Sequence, residues 1–151
     1  MLRQAFTERL KIAMKARDAR TVSATRLILA ALKERDVAVR GEGRPEGLSD
    51  PEIARLLQGM IKQRRESIVF YEQGHRPDLV QQENEEIAVI ESFLPRQMNE
   101  AEITAAARSA IAEIGAAGIR DMGKVMAALR ERHAGVIDMA RASAIVKQLL
   151  G

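Results

Sequence analysis

The chain has 151 residues and contains no cysteine and no tryptophan. Without cysteine there can be no disulfide, no thiolate catalysis and no Cys-based metal site. That agrees with a reducing compartment. Aromatic residues make up only 3% of the chain, namely Phe6, Phe70, Tyr71 and Phe93. Binding single-stranded nucleic acid by stacking needs exposed aromatic platforms, so this scarcity counts against that mode. Phe6 and Phe93 fall on apolar stripes and are expected in the core. No stretch approaches the ~18 apolar residues of a membrane span. Arg3, Glu8, Arg9 and Lys11 interrupt any signal-peptide core in the first turns. A cytoplasmic protein with no membrane partner is expected. The only histidines are His75 and His133, and neither belongs to a metal-spaced cluster. There is no phosphate-loop or dinucleotide fingerprint. No catalytic residue, no metal and no cofactor are therefore expected.

What the chain does have is helical periodicity. A first helix reads from about Leu2 to Arg17, with Leu2, Phe6, Leu10, Ala13 and Met14 on one face. A second runs from about Thr21 to Arg40, on Val22, Thr25, Leu29 and Leu32. Three glycines and Pro45 make 41–48 a loop. Ser49 and Glu52 form a capping-box pattern for a third helix reaching Gln73. Gly74 and Pro77 separate it from a fourth, to about Phe93, with Val80, Glu83, Ile87, Ile90 and Leu94 in register. Pro95 to Asn99 is the best domain boundary, giving an N-terminal domain of about four helices (1–95) and a small three-helix tail (99–151). Helix five spans about Glu100 to Ile114, helix six opens at Asp121 as its cap, and helix seven runs from about Asp138 to Leu150. No period-two strand pattern persists. The fold class is all-α.

The formal net charge is +3, too small to define a partner, but it is unevenly spread. Residues 1–48 carry 11 basic against 6 acidic residues. Residues 49–99 carry 6 against 9, and residues 100–151 carry 7 against 6. A basic excess on the first two helices admits a nucleic-acid surface there, or a solvated face complementing the acidic middle.

Two clusters stand out. In the third helix Arg64 lies four residues after Met60 and four before Ile68, so it points into an apolar stripe, with Lys62 and Arg65 on the flank. A cation there is costly unless paired. It marks either a structural ion pair or a surface kept for a partner. Glu83, Glu85 and Glu86 on the following helix are plausible partners for Arg64 and Arg65. Such a network is favoured over acid–base catalysis, because adjacent helix positions do not face each other. The second cluster is Asp121-Met122-Gly123-Lys124. Gly123 in a first helical turn lowers stability relative to alanine. It permits close approach of a backbone or phosphate beside Lys124, or it lets helix five pack closely. The residues leave both readings open.

These segments together resemble the GatB/YqeY family. The resemblance is carried by Met14 to Asp18, Thr25 to Leu27, Ile61 to Ser67, Ile90 to Pro95, Asp121 to Leu129 and Ile145 to Leu150. They occur in the family's order and cover nearly the whole chain, as in a stand-alone YqeY-like protein. The resemblance implies an N-terminal helical domain followed by a helical tail. It also implies a relation to the C-terminal region of the B subunit of the tRNA-dependent amidotransferase, where the corresponding helices help hold tRNA. Activation there is ATP-dependent and occurs in a separate cradle domain, for which this chain has neither room nor metal ligands. A carbon–nitrogen ligase label with glutamine as amido donor would describe the family relation, not an active site here. The implied role is a tRNA-associated or RNA-associated accessory protein, with tRNA, the amidotransferase or other translation proteins as partners. A helical protein-interaction module without nucleic acid is the alternative. Carried onto this sequence, the tail match makes Lys124 a tRNA-facing candidate, Gly123 its close-approach residue and Lys147 a weaker candidate. One departure weakens phosphate gripping by the last turn. Relatives have a Lys-Gly-Arg turn between the last two helices, whereas this chain has Arg132-His133-Ala134-Gly135-Val136-Ile137-Asp138, with its cations upstream at Arg130 and Arg132.

Overall fold

The computed structural model describes residues 1–151, and every regular element in it is a helix. In order these are α1 (Leu2–Lys15), α2 (Ala19–Gly41), α3 (Asp50–Gln73), α4 (Pro77–Glu91), α5 (Glu100–Ile114), α6 (Met122–Arg132) and α7 (Met139–Leu150). A short 3-10 turn, Ile119–Asp121, precedes α6. No helix is long and apolar enough to cross a membrane. The chain packs as two compact units, Met1–Leu94 and Pro95–Gly151.

Local chemistry explains most boundaries. Ser49 accepts from the Glu52 N–H while Glu52 accepts from the Ser49 N–H, closing the capping box of α3. Asn99 and Glu102 do the same for α5. Gly115 ends α5 in the left-handed conformation at φ 71°, which suits a residue without Cβ. Three boundaries and one cap differ from the periodicity, the fourth helix ending at Glu91 rather than about Phe93. The first helix stops at Lys15 because Arg17 turns left-handed at φ 55°. The second therefore starts at Ala19, and Asp18 caps it by accepting from the Thr21 N–H at 3.1 Å. Asp121 does not cap α6 with its side chain. Its carboxylate turns back to the Ala117 N–H at 2.9 Å instead, tying down the preceding loop.

The first unit is built around Phe6, Ile28, Ile53, Leu57 and Ile90, all fully buried or nearly so. Phe6 meets Phe93 edge-to-face at 4.8 Å, and Arg9 lies over the Phe93 ring at 4.9 Å. The apolar stripe of α2 is rotated from the one read in the sequence. Ala24, Thr25, Ile28, Leu32 and Asp36 are buried, while Val22 and Leu29 sit at its edge. Asp36 thus lies in the core. It accepts from Arg3 Nη2 at 2.7 Å and from the Leu48 N–H at 2.9 Å, and it also pairs with Arg3 Nη1. Arg3 in turn donates to the Leu48 carbonyl at 2.8 Å. This network pins the 41–48 loop to α1 and α2. Gly47, at φ 76°, is required beneath it, because a Cβ there would collide with the Asp36 carboxylate.

The second unit has a smaller core of Ile103, Ala107, Ala110, Val125, Leu129, Ile137, Ala142 and Val146. Alanine at three of these positions lets three short helices approach closely. Helices of 11 to 15 residues are marginal alone, so their mutual burial supplies the stability.

Candidate nucleic-acid interface

The two candidate clusters receive different treatment from the fold. Arg64 is 12% exposed and donates from Nε to Glu86 Oε2 at 3.0 Å, with Glu86 8% exposed. It also donates to the Met60 carbonyl at 3.3 Å. Arg20, near the α2 start, reaches the same carboxylate at 3.7 Å and Glu85 at 3.0 Å. Arg65 pairs with Glu91 at 3.4 Å. Glu85, Glu86 and Glu91 of α4 are thus engaged by three arginines of the same unit. Glu83 lies half-buried beside this network with no ion pair of its own. Burial, reinforced by the Glu86 charge, raises its pKa above the usual carboxylate range. Lys62 stands apart, exposed on the outer face of α3 and without an ion-pair partner.

In the tail, Val125 and Leu129 anchor α6 to the core. Gly123, Lys124, Ala127 and Arg130 therefore face solvent. Gly123, Ala127 and Arg130 follow four-and-three spacing along one strip, with Lys124 on its edge. Lys124 and Arg130 are six residues apart, ~9 Å along the axis. A Cβ built on Gly123 meets nothing within 4 Å. Close packing against α5 therefore does not explain this glycine.

Lys124 is also locally unfavourable. A cation in the first turn of a helix opposes the macrodipole, and no side chain caps α6. Asp121 next to it keeps a pKa below the usual carboxylate range, chiefly because it accepts from the Ala117 N–H. Arg130 and Arg132, in the last turn, agree with the dipole. Arg132 is tied to Glu113 of α5 at 2.5 Å, so it is engaged within the unit, whereas Arg130 is not. Lys147 is exposed on α7, on the same outward strip as Arg141 and Ala144. The tail therefore presents two helix faces with small centres and cationic ends. Arg108, Arg120 and Arg141 add exposed cations without ion pairs that the sequence reading did not single out. Their signal was available for two of them: Arg108 and Arg141 lie out of register with the buried positions Ala107 and Ala142, while Arg120 sits in the turn before α6.

A sequence profile of YqeY-like proteins matches residues 3–150. The chain belongs to the YqeY-like family. Comparison with curated proteins finds no match. In this YqeY-like chain no group of three or more His, Asp or Glu residues is placed to hold a metal ion. His75 occupies the α3–α4 turn at φ 54°, and His133 closes the C-terminus of α6.

Proposed function

We propose that this YqeY-like chain is an accessory protein that associates with tRNA or a related RNA through its tail and has no active site of its own. The observation carrying the reading is the outward face of α6. A bare glycine and a lysine whose charge meets only that of Asp121, outside any close ion pair, sit together where helix propensity and the macrodipole both disfavour them, with Arg130 farther along the same face. Local rules broken together on an exposed surface are expected where a partner supplies the missing interaction. A phosphate supplies it here: it offsets the lysine charge and approaches the backbone where no Cβ stands. The reading places the chain beside the tail of the amidotransferase B subunit as a relative, and a carbon–nitrogen ligase label as a statement of kinship only. The alternative of a protein-interaction module resting on the acidic fourth helix is weakened, because Glu85, Glu86 and Glu91 are engaged by Arg20, Arg64 and Arg65.

The test is binding of uncharged and misacylated tRNA at two salt concentrations, beside Lys124→Glu. Phosphate contacts make affinity fall steeply with salt. Loss of one such contact lowers the salt slope by about 1. Wild-type binding that ignores salt, or a Lys124→Glu variant that binds as wild type, would remove the tail from consideration.

A further inference from the structure

The α3–α4 hairpin leaves the body of the first unit without cover. Arg20, at the start of α2, is level with Glu85 and Glu86, so beyond that level no other helix of the first unit is paired with the hairpin through an ion pair. From Lys62 to Glu85 no residue is buried. On the outer face of α3 this leaves Phe70 71% exposed and Val69 52% exposed, which is unusual in a chain so poor in aromatic residues.

The same face carries a second anomaly. Gly59 sits in mid-helix, exposed, and a Cβ on it would meet nothing within 4 Å. Nothing inside the chain requires glycine there, although glycine weakens the helix. Gly59 borders a groove of about 630 Å³ between α2 and α3, whose apolar lining includes Val39, Leu56 and Met60. Between Gly59 and Phe70 lie Lys62 and Glu66, both exposed and neither in an ion pair within the chain.

The order along this face is socket, cation, anion, knob: Gly59, Lys62, Glu66, Phe70. Its spacing of three, four and four keeps all of them on one side of the helix. Reversed, the order is knob, anion, cation, socket, so the face is complementary to itself when antiparallel. We propose that two copies of this chain pair through the outer faces of α3, antiparallel about a twofold axis level with Arg64. At that register Lys62 of each copy stands opposite Glu66 of the other. Phe70 of each lies over Gly59 of the other, where the missing Cβ gives the ring access to the edge of the groove at Leu56 and Met60. A twofold contact of this kind is closed and stops at two copies. The phenylalanines are its anchors, and the charges set its register.

The test is the mass of the full chain in solution across micromolar concentrations, by sedimentation equilibrium or light scattering. Wild type should form a dimer. Phe70→Ser should weaken it on the order of tenfold or more. Lys62→Glu and Glu66→Lys should each weaken it, and the double exchange should recover it, because the pairs re-form with reversed polarity. Gly59→Leu should also abolish it, while Gly59→Ala raises the monomer's melting temperature, which separates loss of pairing from misfolding. A monomer at every concentration overturns the proposal. So does a dimer indifferent to Phe70→Ser, a mass that grows beyond two copies, or a double exchange that fails to recover the single-variant loss.

Discussion

Residues 1–94 bury two carboxylates, Asp36 and Glu86, together with Thr25, while the buried side chains of residues 95–151 are all aliphatic. Both units are helical, similar in their mixture of charges, and leave exposed cations outside ion pairs, Lys11, Lys15, Arg26 and Lys33 among them in the first, but their interiors differ. The first unit draws acids into its interior and matches each with arginine: Arg3 to Asp36, Arg64 and Arg20 to Glu86. The tail builds its interior from small aliphatic residues and leaves Arg108, Arg120, Lys124, Arg130, Arg141 and Lys147 outside. Net charge would not have revealed this. What matters is whether a charge has a partner within the fold, because a paired ion is part of the structure and an unpaired one is available to something else.

That contrast can be broken most severely at Asp36. Asp36→Ala strands Arg3 and the Leu48 N–H, and breaking one side of a buried pair costs about 3 kcal/mol or more. Urea denaturation followed in the first unit should show it, with the tail transition unmoved. The tail fails by a different route. Leu129→Ala opens a cavity among Ile103, Val125 and Val146 and should cost roughly 3 kcal/mol through lost burial alone. The cost of Asp36→Ala should fall in acid, where wild-type Asp36 is itself protonated, whereas that of Leu129→Ala should not change with pH.

Acid acts more gently. The Arg3 hydrogen bond and charge hold the Asp36 pKa down to about 2. A carboxylate with a depressed folded pKa contributes stability that is complete above its unfolded value, near 4, and is lost as pH falls through 2. Melting of the first unit should therefore drop between about pH 4 and pH 2, and Asp36→Asn should flatten that part of its profile. An unchanged profile in Asp36→Asn would show that other carboxylates govern acid stability. The smallest effect belongs to the RNA face. Gly123→Ala should stabilise the tail by about 1 kcal/mol or less, since the Cβ meets only solvent, and should weaken tRNA binding by blocking backbone approach. Stabilisation with undiminished binding would leave Lys124 without its proposed neighbour.

Legibility in the sequence followed from how local each feature is. The capping residues Ser49, Glu52, Asn99 and Glu102 were readable because a cap is satisfied within four residues. Arg64 stood out because a cation in an apolar register demands an explanation. Asp36 did not, although Thr25, Ile28, Leu32 and Asp36 share one face of α2. Its partner Arg3 is 33 residues away and its third contact comes from the loop at Leu48. Asp121 misled because an acid before a helix is normally its cap, and only the intervening 3-10 turn redirects it to Ala117.

The sequence by itself determined the helices, the caps of α3 and α5, and the family, because periodicity and capping are written in near neighbours. Only the tertiary structure decided which charges are spent. Pairing depends on which helix faces which, so Glu85, Glu86 and Glu91 were assigned to Arg20, Arg64 and Arg65 by packing. The same packing tied Arg132 to Glu113 and left Lys124, Arg130 and Lys147 at the surface. Whether a glycine is a packing device or a bare spot likewise depends on what stands above its missing Cβ, which is occupied at Gly47 and open at Gly59 and Gly123.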